Sequence, residues 1–358
     1  MQKYFARIKD RITSEIKRFI ARKRPELARI NPLGPDLCDR LQSFVLQGKM
    51  IRGCLVPLGY ALSRAGDSRG DAPQCADQAG AAMELFQSGL LVHDDIMDRD
   101  LTRRGSATIF QQYAEKASRE GRADHPHLGE SLGICAGDIA YFLAYEMLAG
   151  METDPPILRN IFSLCSRELT AVGVAQMQDV SWGSSDEQVR EEDILRLYTY
   201  KTGRYTFSLP LMAGGLLAGV EAGILARMEQ LGEDLGVLFQ IKDDELGLFG
   251  DESELGKPVG SDVREGKKTL HYSLLMTRAS SEERRRLAGI FGNRASSEKE
   301  IRYVRDMAIA HGIQALVDEK TREREARARA LIRDLPHGAE EDRKAMFFLL
   351  DFTLSRTR

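Results

Sequence analysis

The chain runs to 358 residues, enough for one large domain or two ordinary ones, and long enough to bury a core without disulfide or metal staples. Its 51 Lys and Arg against 54 Asp and Glu leave a formal charge of −3, so it lacks the basic surplus of a nucleic-acid binder or a polybasic membrane-surface protein. A 42% hydrophobic and 29% charged composition suits many amphipathic helices, each showing water a charged face.

Met1-Gln2-Lys3-Tyr4-Phe5 opens a charged amphipathic stretch with no apolar leader, so no secretory signal is expected. Next, Gly48-Lys49-Met50-Ile51-Arg52-Gly53 sets two cations at the start of an apolar helix. Cations there oppose the helix dipole, a local conflict that tends to mark function. Met83, Phe86, Leu90, Ile96 and Met97 then share a helical face that runs into Leu90-Leu91-Val92-His93-Asp94-Asp95-Ile96-Met97-Asp98-Arg99-Asp100-Leu101-Thr102-Arg103-Arg104-Gly105. On a helix Asp94 and Asp98 lie one turn apart, about 6 Å along the axis, on an inward-looking face. Such carboxylates repel and need a cation. Hard oxygen donors without Cys or His partners point to Mg²⁺, which takes one or two carboxylates together with phosphate oxygens. His93 is read as a packing residue, since no second His stands at ligand spacing.

Ile134, Ala140, Leu143, Ala144 and Met147 form the next apolar face. Lys201-Thr202-Gly203-Arg204-Tyr205-Thr206 again puts cations between two apolar helices, and the uncharged run Tyr205–Val220 reads as a buried core helix, too short to span a membrane. A second acidic cluster, Phe239-Gln240-Ile241-Lys242-Asp243-Asp244-Glu245-Leu246-Gly247, ends a further apolar helix. It leads into a Gly-rich loop with Lys257 and Lys267, suited to holding a phosphate. The sign-alternating run Asp318–Arg333 is expected to be a solvated helix face. Breakers near 63–73, 121–129, 150–156, 182–186, 250–266, 292–297 and 335–338 separate the segments, and no strand alternation is seen. Roughly a dozen helices with short connections predict one all-α bundle over 1–358. The five scattered cysteines, with no CxxC, read as reduced, buried thiols of a cytoplasmic protein.

With these motifs in this order, the sequence resembles the trans-isoprenyl diphosphate synthases, the farnesyl/geranylgeranyl type of the polyprenyl synthetase family. The likeness runs from Lys49 to Thr269. It rests most on the first aspartate motif with its trailing Arg103-Arg104-Gly105 and on the Gly256-Lys257-Pro258 to Thr269 run. The resemblance implies a large orthogonal helical bundle around a deep central apolar cavity. It also implies head-to-tail condensation of isopentenyl diphosphate with an allylic diphosphate, three Mg²⁺ ions with substrate bound (Mn²⁺ being the alternative), and a homodimer that binds neither nucleic acid nor membrane.

Carried over by position, Asp94, Asp95, Asp98, Asp243 and Asp244 match metal-site acids. Arg103, Lys201 and Lys257 match cations on the allylic diphosphate, with Lys267 nearby. Lys49, Arg52, Gln87 and Arg104 match the isopentenyl diphosphate site. Gln176 and Asp179, with Thr202, Tyr205 and Gln240, match groups near the reacting carbons and substrate. The second motif departs from the family pattern, since Gly247 stands where a third acid is usual. Met50, Gly53 and Ala175 also depart, without removing a ligand. In the family, aromatics four and five residues before the first aspartate shorten the product. Gly89 and Leu90 there are read as leaving room, with Phe86 a possible floor, so C20 or longer is expected over C15 (the farnesyl alternative). A class I terpene cyclase, a head-to-head synthase and a non-catalytic partner subunit are the competing readings. The first two fit these motifs poorly, and the third would have lost an aspartate cluster.

Overall fold

The computed structural model describes residues 1–64, 72–183, 185, 187–250, 260–336 and 339–356. Among these, the helical periodicity resolves into sixteen α-helices, one π-helical segment and a single two-residue hairpin, so the all-α expectation holds. Sixteen exceed the dozen expected because short breaks, such as Arg29–Pro32 and Gln47–Met50, divide segments that read as continuous. The chain gathers into two compact units, one made of Met1–Ser163 and Met212–Val220, the other of Leu164–Leu211, Glu221–Pro336 and the C-terminal helix.

The first unit holds α1 (Gln2–Ala28), α2 (Leu33–Leu46), α3 (Ile51–Leu62), α4 (Gln74–Asp98), the hairpin β1 (Thr102–Arg103) and β2 (Ser106–Ala107), α5 (Ile109–Arg119), α6 (His125–Ala149) and the start of α7 (Pro155–Gly183). Helix α1 is amphipathic by construction: Ile8, Ile12, Ile16 and Ile20 recur every fourth residue and are buried. Helix α4 carries the first acidic motif at its C-terminal end and is clasped on two sides through glycines. A Cβ on Gly80 would stand 2.5 Å from the Gly53 carbonyl oxygen of α3, and one on Gly137 of α6 would stand 2.3 Å from His93 Nε2. Only glycine fits at positions 80 and 137 of such crossings.

Helix α6 is long and apolar enough to cross a membrane by length and composition alone, but its buried face packs along α4 and α5. Ala140, Leu143, Ala144 and Met147 lie on that face. Ile134 does not: it is exposed, as is Met97 at the end of α4. The turn of the hairpin uses left-handed backbone at Arg104 (φ 53°) and Gly105 (φ 75°), the conformation tight two-residue turns require.

The second unit contains the rest of α7, α8 (Glu191–Tyr198), the π-helical segment Thr199–Ser208, the start of α9 (Leu209–Leu217), α10 (Ala222–Phe249), α11 (Ser261–Glu265), α12 (Leu270–Arg278), α13 (Ser281–Ala288), α14 (Glu298–Ala310), α15 (Ile313–Asp334) and α16 (Glu340–Ser355). Its core is built on Val237, Ile241, Leu270, Leu275 and Val304. Ser280 and Ser297 close capping boxes with Glu283 and Glu300.

Two expectations need correction here. The charged run on α15 is not simply a solvated face. Arg327 Nε donates to the buried Asp234 carboxylate at 2.6 Å and Arg324 lies 3.4 Å from it, while Val317, Ala328 and Ile332 are buried. A buried carboxylate demands such partners, and α15 supplies them. Of the cysteines, all five are free, but Cys135 is exposed and Cys75 only half-buried. Burial pushes the Cys165 thiol up to about 12 and Cys54 higher still, which keeps both inert.

Candidate active site

In the first unit, Asp94 and Asp98 sit one turn apart in the last turns of α4, both partly exposed, with no basic residue in that last turn. The negative end of the helix dipole therefore adds to their mutual repulsion. Arg103 answers part of it from the hairpin. Its Nε donates to Asp95 and its Nη2 lies 3.4 Å from Asp94 and 3.8 Å from Asp100. Asp95 itself is fully buried. Burial pushes its carboxyl up to about 7 against the pull of Arg103, and its second oxygen meets no partner. His93 packs against Gly137 and Tyr141, its Nε2 3.1 Å from the Ile134 carbonyl oxygen, as a packing residue should.

The proposed isopentenyl set also gathers within this unit. Met50 adopts left-handed backbone (φ 55°) as the cap of α3, so Lys49 precedes the helix and Arg52 enters its first turn. Arg104 packs against Gly48, and Lys9 donates to the Gly48 carbonyl at 2.9 Å. Between them lies Glu84, a wholly buried acid that sequence reading passed over. It accepts from the Gly53 amide at 2.7 Å, and burial raises its pKa while Arg52 and Arg104 lower it. A lone acid in the apolar run Ala82-Met83-Glu84-Leu85-Phe86 was the signal that could have found it. Gln87 follows one turn along α4.

At the chain-length positions the space differs from what the sequence suggests. The room beside Gly89 is already filled: a Cβ there would stand 2.6 Å from the Tyr141 ring and 2.9 Å from the Gly137 carbonyl oxygen. Glycine at 89 thus permits the close approach of α6. Phe86, one turn earlier, is fully buried and meets Tyr145 edge-on at 4.9 Å, and Tyr145 stacks on Phe162 at 5.6 Å. Leu90 is half-buried.

In the second unit the π-helical segment carries Lys201 and Thr202 onto α10. Such segments are rare and cluster at functional sites. A relay of hydrogen bonds joins the π-helical segment to the second acidic motif: Thr202 Oγ1 donates to Gln240 Oε1 at 2.9 Å, and Gln240 Nε2 donates to Asp244 Oδ1 at 2.9 Å. The Tyr198 hydroxyl donates to the other Asp244 oxygen and accepts from the Leu270 amide at 2.8 Å. Asp244 is thus buried with both oxygens engaged. Burial, then the charge of Asp262, pushes its pKa well up. Asp243 differs, with its side chain 57% exposed and paired to Arg356 Nη2 at 2.8 Å.

Lys201 pairs with Asp179. Tyr205 is buried and Gln176 half-buried. Lys267 pairs with Glu265 at 2.8 Å and lies 3.6 Å from Asp262, while Lys257 falls outside the described residues. Sequence reading missed Tyr198 and Arg356, which touch the acidic motif only through folding and have no nearby sequence signal.

These residues fit a hard divalent ion. The donors are carboxylates at two helix C-terminal ends. Carboxylate oxygens are the hard donors that Mg²⁺ takes together with phosphate oxygens and water.

Residues 35–308 match the polyprenyl synthetase family model. The geranylgeranyl diphosphate synthase of Saccharolobus solfataricus is 30% identical over 88% of each chain. The geranylfarnesyl diphosphate synthase of Aeropyrum pernix is 29% identical over 78% of this chain and 82% of its own. Among solved structures, a geranylgeranyl pyrophosphate synthase from Corynebacterium glutamicum, complexed with isoprenyl diphosphate and magnesium, superposes with a TM-score of 0.90 at 27% identity over 98% of both chains. The chain belongs to the polyprenyl synthetase family, with the all-α isoprenoid-synthase fold. Its reaction class is trans-prenyl transfer.

Proposed function

We propose that the chain, working over 1–358 as a single cytoplasmic synthase domain and as a homodimer, condenses isopentenyl diphosphate with an allylic diphosphate to make all-trans products of C20 or longer. The observation that carries this is the pair of carboxylate-bearing helix ends, each with its own cations close by, in a member of this family. The names of the relatives support the product length.

Asp94, Asp98 and Asp243 hold Mg²⁺. Asp95 and Asp244, with their oxygens drawn to Arg103, Tyr198 and Gln240, fix the helix ends that present them. Bound magnesium neutralises the departing diphosphate. Arg103, Lys201, Lys257 and Lys267 bind that diphosphate, and Lys49, Arg52, Gln87 and Arg104 bind isopentenyl diphosphate. Gln176, Thr202 and Tyr205 orient and shield the allylic carbons, where excluded water protects a developing cation. The proton lost after condensation passes to the released pyrophosphate, so no buried base is required. The aromatic set Phe86, Tyr145 and Phe162, with Leu90 above it, closes the floor that limits chain length.

The test is direct. Pure protein with isopentenyl diphosphate and each C5, C10 or C15 primer should yield C20 or longer alcohols after dephosphorylation, dependent on Mg²⁺. Asp94→Ala and Asp243→Ala should abolish turnover with melting temperature unchanged. Wild-type rates in either variant would remove the metal assignment.

A further inference from the structure

Within the roles proposed above for Lys201, Thr202 and Tyr205, on which this rests, we infer that Arg204 is a positioning residue for the reaction. By bridging α7 and α10 it holds the π-helical register that presents those three side chains. Helix α8 continues through Thr199–Ser208 into α9 without a break, so an unbroken α-helix is the default for this stretch. Ten residues of π-helix depart from that default, with i→i+5 bonding, and need support from outside the segment. Losing the extra residue of a π-turn would rotate the chain beyond it by about 100° and shift it by about 1.5 Å. Lys201 and Thr202 stand before Arg204 and Tyr205 after it, so such a slip would part them.

Arg204 supplies that support with every nitrogen of its guanidinium. Nε donates to Glu168 Oε2 and Nη2 to Glu168 Oε1, both at 2.8 Å, a parallel fork onto α7. Nη1 donates to Glu233 at 2.7 Å and Nη2 to Glu229 at 2.5 Å, two acids one helical turn apart on α10. The guanidinium also lies 5.6 Å from the centre of the Tyr200 ring. An ammonium, a single point of charge, cannot reproduce that planar reach to two helices.

The burial of Glu168 gives the bridge its strength. This residue is 1% exposed, and a charge so far from water needs partners. Arg167 Nε gives it one more bond at 2.8 Å from a largely solvated side chain, whereas Glu229 and Glu233 themselves reach water. Backbone contacts carry the constraint along the segment. A Cβ on Gly203 would stand 3.1 Å from the Glu233 carbonyl oxygen, and Ser208 Oγ donates to the Glu229 carbonyl oxygen at 2.8 Å. Arg204 thus fixes the middle of a segment whose two ends touch α10, through the Thr202–Gln240 bond on one side and Ser208 on the other.

The test compares Arg204→Gln, Arg204→Lys and the double variant Arg204→Gln/Glu168→Gln. It reads melting temperature, kcat and KM for each substrate, and hydrogen exchange of peptides covering Thr199–Ser208. Arg204→Gln should melt lower, because it strands the buried Glu168 carboxylate. The double variant should regain melting temperature, since neither partner of that pair is left charged and alone. Its kcat should nonetheless stay down by about tenfold or more, with faster exchange over Thr199–Ser208. Its KM for isopentenyl diphosphate should stay within about twofold of wild type, since Lys49, Arg52 and Arg104 belong to the first unit. Arg204→Lys should share the loss of kcat, because charge without the fork does not hold the register. Wild-type kcat in the double variant, while Lys201→Ala loses turnover, overturns this inference alone, since Arg204 then only neutralises Glu168. Wild-type kcat in both overturns the roles assigned to the segment as well.

Discussion

Gly236→Ala adds one methyl group where two elements of the second unit meet most closely. A Cβ at 236 would stand 2.0 Å from Gly203 Cα and 2.6 Å from its nitrogen. Ordinary carbon contacts lie near 3.5–4.0 Å, so α10 and the π-helical segment must part by roughly 1.5–2 Å. Gly203 has no side chain to swing aside, so the backbone itself must move. That displacement breaks the 2.9 Å bond from Thr202 to Gln240 and slackens the link to Asp244.

Overpacking against rigid backbone costs about 3 kcal/mol, and the lost hydrogen bond about 1 kcal/mol more. Alanine's better helix propensity returns about 1 kcal/mol, leaving a net loss of roughly 3 kcal/mol. For a folding unit of this size, roughly 2–4 °C per kcal/mol applies, so the melting transition should fall by about 6–12 °C. Gly173→Ala is the internal control: it lies exposed in α7 with nothing within 4 Å of its Cβ position, and should hold or raise the melting temperature by propensity alone. Calorimetry of both variants, with synthase assays alongside, checks this. If Gly236→Ala melts within about a degree of wild type, the contact geometry claimed for the two elements is wrong.

Gly89→Phe should lower the melting temperature and yield without shortening the products, because its ring would meet Tyr141 and the α6 backbone. A stable variant making shorter products would restore the open-pocket reading of Gly89. Phe86→Ala should lengthen the product distribution by chromatography, since it removes the ring packed on Tyr145, at a stability loss of about 3–5 kcal/mol. Unchanged products would move the floor elsewhere. His271 is held down to about 4 by burial, against an unfolded value near 6.5, with Glu245, a hydrogen bond to Gln314 and Asp318 opposing the shift. The unfolded chain therefore binds this proton first, and stability present above pH 6.5 is lost as pH falls from 6.5 towards 4, by up to about 1.4 kcal/mol per pH unit. His271→Leu should flatten that part of the urea-denaturation profile, and an identical slope in wild type and variant would discount the histidine.

The acidic motifs were legible because their spacing is a property of one helix. Asp94 and Asp98 share a face by arithmetic, as do Asp243 and residue 247. The Lys49–Arg52 placement at the start of α3 was readable for the same local reason. Charge pairing across long separations was not. The run on α15 looked solvated until Asp234 was found buried beneath Arg324 and Arg327, and Arg356 reaches Asp243 from 113 residues away.

Gly89 and Gly247 make the contrast sharpest. In sequence both are absences, an aromatic not present and an acid not present. In the fold both positions are closely approached, one by the ring of Tyr141, the other by the carboxylate of Asp262. Helical periodicity, composition and motif spacing decided the class of fold and which acids and cations share a helix face, because those follow from bonds along a single element. What stands opposite each element depends on which distant segments pack there. A residue without a side chain carries no mark of its neighbour, so only the tertiary structure could assign it.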